Sequence, residues 1–349
     1  MTVVAATNLR ARTTRRSLRR IYQRSLGAAA GLLLAAAAFA GTAQATSLVV
    51  EGAGWGHGIG MSQWGAAGYA AHGWSDRQIL AHYYSGTALG SVAPSAKIKV
   101  LVGTRVLTLP IETYVRGVVA AEMPASWPMA ALESQAIASR TFALTSDVGG
   151  SRFDVYSDTR SQMYLGRAAE TPRSNAAVAA TAGQIVTYHG NPITTYFFAS
   201  SGGYTESIQN AWPGASPAPW LKGVEDRYEA PSNRWRVSYS FARVQSLLSG
   251  LVRGRFTGIE VLRRGVSPRI VLARIRGSAG VTKVTGAELE ERLGLMSSWA
   301  YFSVRRGASV LHERDFSNWH RPGAAPVPVT SSTPPDNGGA PRGGGVQIP

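Results

Sequence analysis

Residues 109–124, with the sequence LPIETYVRGVVAAEMP, predict the helix around which the rest of the chain can be placed. Pro110 suits the first turn of a helix, where its missing N–H has no partner to lose. Met123-Pro124 then ends the helix, because a residue before proline avoids the helical conformation. Four residues between these limits share one helical face: Ile111, Val115, Val118 and Glu122. The carboxyl group of Glu122 therefore ends an apolar stripe.

This position changes the acidity expected of the Glu122 carboxyl group. Burial beside an apolar stripe and the negative end of the helix dipole both disfavour the ionised form, so the pKa should rise. A carboxylic acid that stays protonated near neutral pH is what general acid catalysis requires. The same spacing also fits an ordinary solvated glutamate at a helix end, as Glu112 illustrates. The residues alone leave both interpretations open.

A second helix is predicted to follow, with Pro128 in its first turn. Its core stripe consists of Met129, Leu132, Ala136 and Ala143. Gln135 and Arg140 lie on other faces. Arg140 suits a contact with a sugar, with a lactyl or peptide carboxylate, or with Glu122 itself. The spacing alone favours an exposed helix arginine.

Residues 54–66, GWGHGIGMSQWGA, form a glycine-rich segment between a predicted strand at 47–50 and a predicted helix at 66–71. Its alternating glycines allow positive φ and let a ligand approach the backbone closely. His57 has no packing partners among these glycines, so it is a candidate ligand contact; a tight turn held by a histidine hydrogen bond is the alternative. A phosphate-binding loop is excluded, because no Lys-Ser/Thr pair follows the glycines. Asp76 is predicted to cap the next helix, whose inward residues are Ile79, Leu80, Tyr83 and Tyr84.

Residues 195–206, TYFFASSGGYTE, predict a strand at 195–199 followed by a polar glycine turn. Hydroxyl groups and an aromatic ring at a strand end are typical of a sugar subsite, where ring faces stack and hydroxyls hydrogen-bond. Trp212 and Trp220 lie nearby in the sequence. The alternative is a surface turn over an aromatic core.

Composition sets the two ends of the chain apart. Residues 1–45 combine seven arginines and no acid with an apolar run at 26–40 and an Ala-Gln-Ala cleavage site at 43–45, which predicts a secretory signal peptide. The run is short for a membrane span; an uncleaved anchor is the alternative, and the export route stays open. Residues 320–349 are rich in Pro and Gly, which predicts a disordered tail. The folded part is expected at 46–319.

The overall composition excludes several classes of protein. The chain has 349 residues, 44% of them hydrophobic, so it can bury a core and is not wholly disordered. It has no cysteine, which excludes disulfide scaffolds, thiolate zinc sites, iron–sulfur clusters and cysteine nucleophiles. The net charge is +16, and without the seven arginines of residues 1–45 it is 16 − 7 = +9, which still suits an exported protein in an anionic cell envelope. Nucleic acid is the rival partner, but no zinc-finger spacing or RNP-like run appears, and the predicted export argues against it.

Five segments together resemble the stage II sporulation protein D (SpoIID/LytB) domain family. They are residues 109–124, the helix 131–142 (ALESQAIASRTF), residues 158–164 (DTRSQMY), residues 199–206 (ASSGGYTE) followed by 220–224 (WLKGV), and the glycine–histidine motif at 56–66. The resemblance implies an α+β fold with mixed and antiparallel strands and a few helices around a substrate groove.

The resemblance also implies peptidoglycan chemistry. Family enzymes are lytic transglycosylases, which cut glycan strands between N-acetylmuramic acid and N-acetylglucosamine and leave a 1,6-anhydro sugar. The family's catalytic glutamate corresponds to Glu122, which would serve as both acid and base. The substrate-binding positions implied here are Arg140, Gln162, Tyr164, Ser200, Ser201, Tyr204, His57 and Gln63. No cofactor is expected, and no second catalytic acid stands out in the sequence.

The chain departs from the family pattern in three places. The glycine–histidine motif opens the folded part instead of closing it, which suggests a circular permutation and predicts that the strand at 48–50 lies beside the one at 301–304. Glu133 stands where family members often carry lysine. Ser161 stands where some carry histidine or cysteine, so the zinc site of those relatives is not expected.

Two functions follow from the resemblance. The first is a secreted enzyme of the cell envelope that binds peptidoglycan glycan strands, with no stable membrane span after signal cleavage. The alternative is a non-catalytic amidase enhancer, which binds glycan and stimulates a separate cell-wall amidase. That role needs the groove but not Glu122. A structural wall-binding protein is a third and more distant interpretation.

Overall fold

The computed structural model describes residues 46–229, 233–307 and 309–310. The predicted signal peptide and the predicted tail lie outside these residues. Helices combine with several small, mostly antiparallel sheets, which confirms the α+β part of the predicted fold class. The substrate groove stays a prediction. The helices of the described residues are α1 (Gln63–Ala71), α2 (Asp76–Tyr83), α3 (Ile111–Glu122), α4 (Met129–Thr145), α5 (Pro172–Ala180), α6 (Ile208–Ala211), α7 (Phe241–Leu247) and α8 (Gly286–Leu293).

The strands are short and form several small, mostly antiparallel sheets. They are β1 (Thr46–Ala53), β2 (Met61–Ser62), β3 (Ala88–Ser91), β4 (Lys97–Val102), β5 (Arg105–Pro110), β6 (Val155–Tyr156), β7 (Gln184–Tyr188), β8 (Asn191–Pro192), β9 (Phe197–Phe198), β10 (Arg234–Ser240), β11 (Phe256–Arg264), β12 (Ile270–Gly277), β13 (Gly280–Thr285), β14 (Ala300–Arg306) and β15 (Ser309–Val310). The sheet orders are β10-β1-β14-β15, β11-β12-β13, β5-β4-β6, β3-β7-β8 and the parallel pair β2-β9.

Two hydrophobic cores organise these elements. The first core is built mainly from helices α1 to α5 and contains Val118 and Leu132. The second joins β1, β10 and β14 to the sheet β11-β12-β13 and to helices α7 and α8, and contains Val50 and Ile275. Each fully buried side chain of this kind contributes about 1.5–3 kcal/mol to stability. The chain begins in the second core with β1, builds the first core, and then returns to the second.

The two ends of the described chain pair with each other. Strand β14 lies antiparallel to β1, with Leu48 opposite Val304 and Val50 opposite Phe302. This confirms the predicted neighbourhood of the strands at 48–50 and 301–304. It is the neighbourhood that a permuted order requires, while the permutation itself stays a prediction.

Helix α3 has the predicted limits and the predicted inner face. Ile111, Val115 and Val118 are buried, and Glu122 is the last helical residue. Helix α4 differs from the prediction, because the structure buries it on every side, Gln135 and Arg140 included. The reason is its position: α1, α2, α3, α5 and β7 all pack around it. The prediction from spacing that Arg140 is exposed is therefore wrong.

Helix α2 shows a second difference, at its cap. Ser75, rather than Asp76, caps the helix: its hydroxyl accepts from the backbone N–H of Gln78, whose side chain accepts from the Ser75 N–H in return. This reciprocal pair satisfies two free backbone donors at once. The inward residues are as predicted, since Ile79, Leu80, Tyr83 and Tyr84 are all buried.

The strand predicted at 195–199 is shorter in the structure and consists of β9 alone. It pairs in parallel with β2, Met61 opposite Phe197 and Ser62 opposite Phe198. This pairing brings the glycine–histidine segment next to the turn at 200–203 that follows β9, which we call the serine turn. Within the described residues, no helix has both the length and the apolar character needed to cross a membrane.

Candidate active site

Three segments that are far apart in the sequence meet at the carboxyl group of Glu122. The carboxyl Oε1 accepts a 2.7 Å hydrogen bond from the backbone N–H of Met163. Its Oε2 accepts a 2.9 Å hydrogen bond from Nε2 of Gln63. The Glu122 side chain is half-buried. The end of α3, the start of α1 and the segment before Tyr164 thus hold one carboxyl group in a fixed orientation.

The environment of Glu122 raises its pKa to about 7. Burial is the dominant cause, because it penalises the charged form. The hydrogen bonds from Met163 and Gln63 act in the opposite direction, because they stabilise the carboxylate. Near neutral pH both protonation states are therefore populated, and the group can give up a proton and take one back.

Gln63 reaches Glu122 because the start of α1 is tightly specified. Ser62 caps the helix, its Oγ accepting a 3.0 Å hydrogen bond from the N–H of Gly65. Before it, Gly54, Gly56, Gly58 and Gly60 all have positive φ, as the alternating glycines predicted. The side chain of Gln63 is nearly inaccessible to solvent, with 6% exposure.

A buried aspartate supports the same helix start and was not foreseen. Asp226 has 1% exposure, and its Oδ1 accepts a 2.8 Å hydrogen bond from Oη of Tyr83. Gly65 leaves room for this contact: a Cβ there would lie 2.1 Å from Oη of Tyr83 and 2.2 Å from Oδ2 of Asp226. Asp226 therefore packs against the first turn of α1, two residues after Gln63.

Asp226 shares its surroundings with a second buried acid, Glu229. Burial, and then the negative charge of Glu229, raise the pKa of Asp226 well above its usual range, so Asp226 carries a proton at neutral pH. Glu229 is the acceptor of a dense network. Its donors are the hydroxyls of Ser200 and Ser201, the N–H of Gly203 at 3.2 Å and Nδ2 of Asn233 at 2.9 Å. The acid pair thus joins the serine turn to the start of α1.

Arg140 lies in the core and contacts a different glutamate from Glu122. Its side chain is fully buried and forms a two-pronged ion pair with Glu112, with distances of 2.8 Å from Nε to Oε1 and 2.7 Å from Nη2 to Oε2. Its Nη1 donates to the carbonyl of Gln184 at 2.9 Å. This ion pair fastens α3 to α4. A substrate contact by Arg140 stays a prediction, and it would require the ion pair to open.

The other predicted binding residues fall into two groups. Gln162 and Tyr164 flank Met163: Gln162 is buried and donates to the carbonyl of Ser139 at 3.1 Å, while the half-buried ring of Tyr164 stacks on Tyr114. Ser200 and Ser201 are buried against Glu229, as described above. Tyr204 is half-buried in the turn that follows them.

His57 lies in an aromatic environment. Its ring lies 5.1 Å from that of Trp212 and 5.4 Å from that of Phe198, measured between centroids. Its Nδ1 accepts from the N–H of Ile59 at 3.0 Å. Burial, followed by the charge of Arg269, lowers the pKa of His57 to about 3, so the imidazole is neutral. His57 and Trp212 line a cavity of about 190 Å³, together with Trp55, Gly56, Ala211, Ala287, Glu290, Glu291, Leu295, Met296 and Ser298.

Comparison with known proteins finds similarity over the part of the chain that carries Glu122. The family model described as stage II sporulation protein, SpoIID, matches residues 103–188, which include α3, α4 and Glu122. Stage II sporulation protein D of Bacillus amyloliquefaciens and that of Bacillus subtilis are each 32% identical to this chain over 222 residues. Those residues cover 58% of this chain and 62% of each relative, so the chain spans somewhat less than two thirds of their length.

A shorter match reaches a protein with a different name. The amidase enhancer of Bacillus subtilis is 35% identical over 125 residues, which cover 36% of this chain and 17% of the enhancer.

Proposed function

We propose that this chain, whose residues 103–188 match the SpoIID family model and which is similar to the relatives named above, is a peptidoglycan lytic transglycosylase with Glu122 as its single acid and base. The observation that supports this most is the Glu122 carboxyl itself. It is half-buried, held by two donors, and has a pKa of about 7. Few environments leave a carboxyl group equally ready to donate and to accept a proton at neutral pH.

In the first step, protonated Glu122 donates its proton to the glycosidic oxygen as the bond from that oxygen to the anomeric carbon breaks. The leaving sugar departs with a new hydroxyl group. The Met163 N–H and the Gln63 amide then stabilise the carboxylate that remains. Both donors strengthen as charge develops on Glu122, so they favour proton release.

In the second step, the C6 hydroxyl of the muramoyl sugar attacks the anomeric carbon and gives its proton to the Glu122 carboxylate. The product is a 1,6-anhydro ring, and Glu122 returns to its starting state. No water is consumed. The carboxyl group alternates between acid and base, which suits a pKa near the working pH.

The buried acid pair does not supply a second catalytic carboxyl. A two-carboxylate glycosidase holds both acids where they can reach the sugar. Asp226 and Glu229 have 1% and 8% exposure; Oδ1 of Asp226 accepts from Tyr83, and both oxygens of Glu229 accept from the serine turn. This supports a mechanism with one carboxyl group, in which the acid pair orders the parts around it.

The substrate of this proposal lies in the cell envelope, outside the cytoplasm. The relatives named stage II sporulation protein D and amidase enhancer support a role at the cell wall. The predicted signal peptide fits the same location. The proposed partner is a glycan strand of peptidoglycan.

The alternative function is a non-catalytic amidase enhancer, and the match to the Bacillus subtilis protein of that name supports it. It would use the same surface without the chemistry of Glu122. Incubating purified glycan strands, with and without stem peptides, with the protein from Thr46 onward and with its Glu122→Gln form separates the two. Anhydro-muramoyl ends made only by the unmutated protein support the transglycosylase. Strand binding by both forms, with no cleavage and with stimulation of an added amidase, supports the enhancer.

A further inference from the structure

One tryptophan follows Gln63 directly and another follows Glu122 by five residues, and the rings of the two contact each other. Trp64 follows Gln63, whose amide contacts Glu122, and Trp127 lies in the loop that leaves α3 after Glu122. Their ring centroids are 4.8 Å apart and the ring planes are inclined by 58°. The two rings therefore form a tilted pair instead of a closed stack.

Trp64 is a large aromatic residue of α1 whose side chain is exposed to solvent. The helix buries Gln63, Gly65, Ala66, Ala67 and Tyr69. Trp64 itself has 40% exposure, which is high for a residue of this size and apolar character. Part of the apolar surface of the indole therefore stays in contact with water. A ligand that covers the ring would bury this surface and gain hydrophobic binding free energy.

The loop that carries Trp127 is held firmly in place. Arg173 donates from Nε to the carbonyl of Ala125 at 2.7 Å and from Nη2 to the carbonyl of Trp127 at 2.8 Å. The N–H of Trp127 donates to the carbonyl of Pro124 at 3.0 Å, and that of Trp64 to the carbonyl of Ala199 at 3.0 Å. Both tryptophans are thus fixed by their backbones before any ligand arrives, which lowers the entropy cost of binding.

We propose that Trp64 and Trp127 form a saccharide platform on which one pyranose ring of the glycan strand stacks next to the bond that Glu122 cleaves. This inference rests on the proposed function, because that function makes a glycan the ligand of the Glu122 site. The apolar face of a pyranose packs on an indole ring, while its hydroxyl groups stay free for polar partners. A sugar ring stacked on this platform would keep the neighbouring glycosidic oxygen close to the carboxyl group of Glu122.

The test measures binding without cleavage. Calorimetry with a glycan tetrasaccharide that lacks stem peptides compares the Glu122→Gln protein with the same protein carrying Trp64→Ala, Trp127→Ala or Trp64→Tyr. Each alanine variant should lose affinity by about tenfold, and the tyrosine variant should retain most of it, because a ring is kept. Val281→Ala, which trims an exposed side chain on β13, should leave the affinity unchanged.

A second measurement needs no alanine variant and so covers the case in which Trp64→Ala fails to fold. On addition of the tetrasaccharide, the indole N–H resonances of Trp64 and Trp127 should shift in a ¹⁵N spectrum of the Glu122→Gln protein. An affinity of Trp64→Ala within twofold of its parent, or resonances that stay in place at saturation, would overturn the proposal. Such a result would mean that the exposed ring of Trp64 does not bind the glycan, and a protein partner would then be the next ligand to test.

The outcome is separable from that of the proposed function. If strands bind through Trp64 but the unmutated protein never cleaves them, the platform stands and the transglycosylase fails. If the unmutated protein produces anhydro ends and Trp64→Ala binds and cleaves equally well, the transglycosylase stands and the platform fails.

Discussion

The amide of Gln63 donates a 2.9 Å hydrogen bond to one oxygen of the Glu122 carboxyl group, across 59 residues of sequence. The other oxygen accepts from the backbone N–H of Met163. Gln63 is therefore a positioning residue for the proposed acid, and it also sets its acidity. Since the amide stabilises the carboxylate, it keeps the pKa of Glu122 lower than burial alone would leave it.

Replacing Gln63 with methionine should raise the pKa of Glu122 by about one unit, because the variant keeps the volume and loses the donor. Cleavage starts from protonated Glu122, so activity should fall as the pH rises through the pKa. That decline should lie near pH 7 in the unmutated protein and move to higher pH in the variant. The measurement is the pH dependence of cleavage, supported by ¹³C titration of the Glu122 carboxyl carbon.

Gln209→Met serves as the control for this change, because Gln209 is exposed on α6. Its pH profile should match that of the parent. A Gln63→Met protein with an unshifted Glu122 titration would show that the amide does not set the acidity of Glu122.

The buried acid Asp226 should make stability depend on pH in a characteristic direction. Its raised pKa means that the folded protein holds a proton that the unfolded chain releases near pH 4. Stability from this group is therefore complete below about pH 4 and is lost as the pH rises through the folded-state pKa. Asp226→Asn, which stays neutral, should show a shallower decline of Tm between about pH 4 and pH 8.

The exposed acid Asp147 provides the matched comparison. Asp147→Asn should leave the slope of Tm against pH as it is in the unmutated protein. If Asp226→Asn keeps the parental slope as well, then Asp226 is ionised in the folded state and the proposed proton is absent.

The ion pair between Arg140 and Glu112 should be a major source of stability. Arg140→Met removes the buried cation and leaves Glu112 without its partner, which should cost about 3 kcal/mol of unfolding free energy in urea titrations. Arg140→Lys should fall between, because a single ammonium cannot form both contacts. Arg160→Met breaks the exposed pair with Asp158 and should leave stability close to that of the unmutated protein, because solvent screens an exposed ion pair.

This experiment also decides whether Arg140 contacts substrate. We expect Arg140→Met to lose stability and to lose strand binding only as far as it unfolds. A variant of normal stability that no longer binds glycan strands would instead restore the substrate contact implied by the family resemblance.

The parts of the site that depend on one helix could be predicted from sequence. The apolar spacing of Ile111, Val115 and Val118 put Glu122 at the end of a buried stripe, and the structure has that arrangement. The raised pKa of Glu122 followed from the same position. The pairing of β1 with β14 was predicted from the order of motifs rather than from periodicity.

The parts that depend on distant segments could not be predicted in this way. Asp226 follows a recognisable motif, but nothing near it in sequence indicates that Tyr83 and Gly65 enclose it. The burial of Arg140 could not be predicted for a similar reason, since an arginine on a helix is usually exposed unless a partner such as Glu112 is brought to it. Both features arise only when elements from separate regions pack together.

The most direct test of the central claim is to run the cleavage of stem-free glycan strands in H₂¹⁸O and to weigh the products by mass spectrometry. If Glu122 alone serves as acid and base, the new ends are 1,6-anhydro-muramoyl sugars that contain no ¹⁸O, and Glu122→Gln makes none of them. New reducing ends that carry one ¹⁸O atom would show that water attacks the anomeric carbon, and the single-carboxyl account would be wrong.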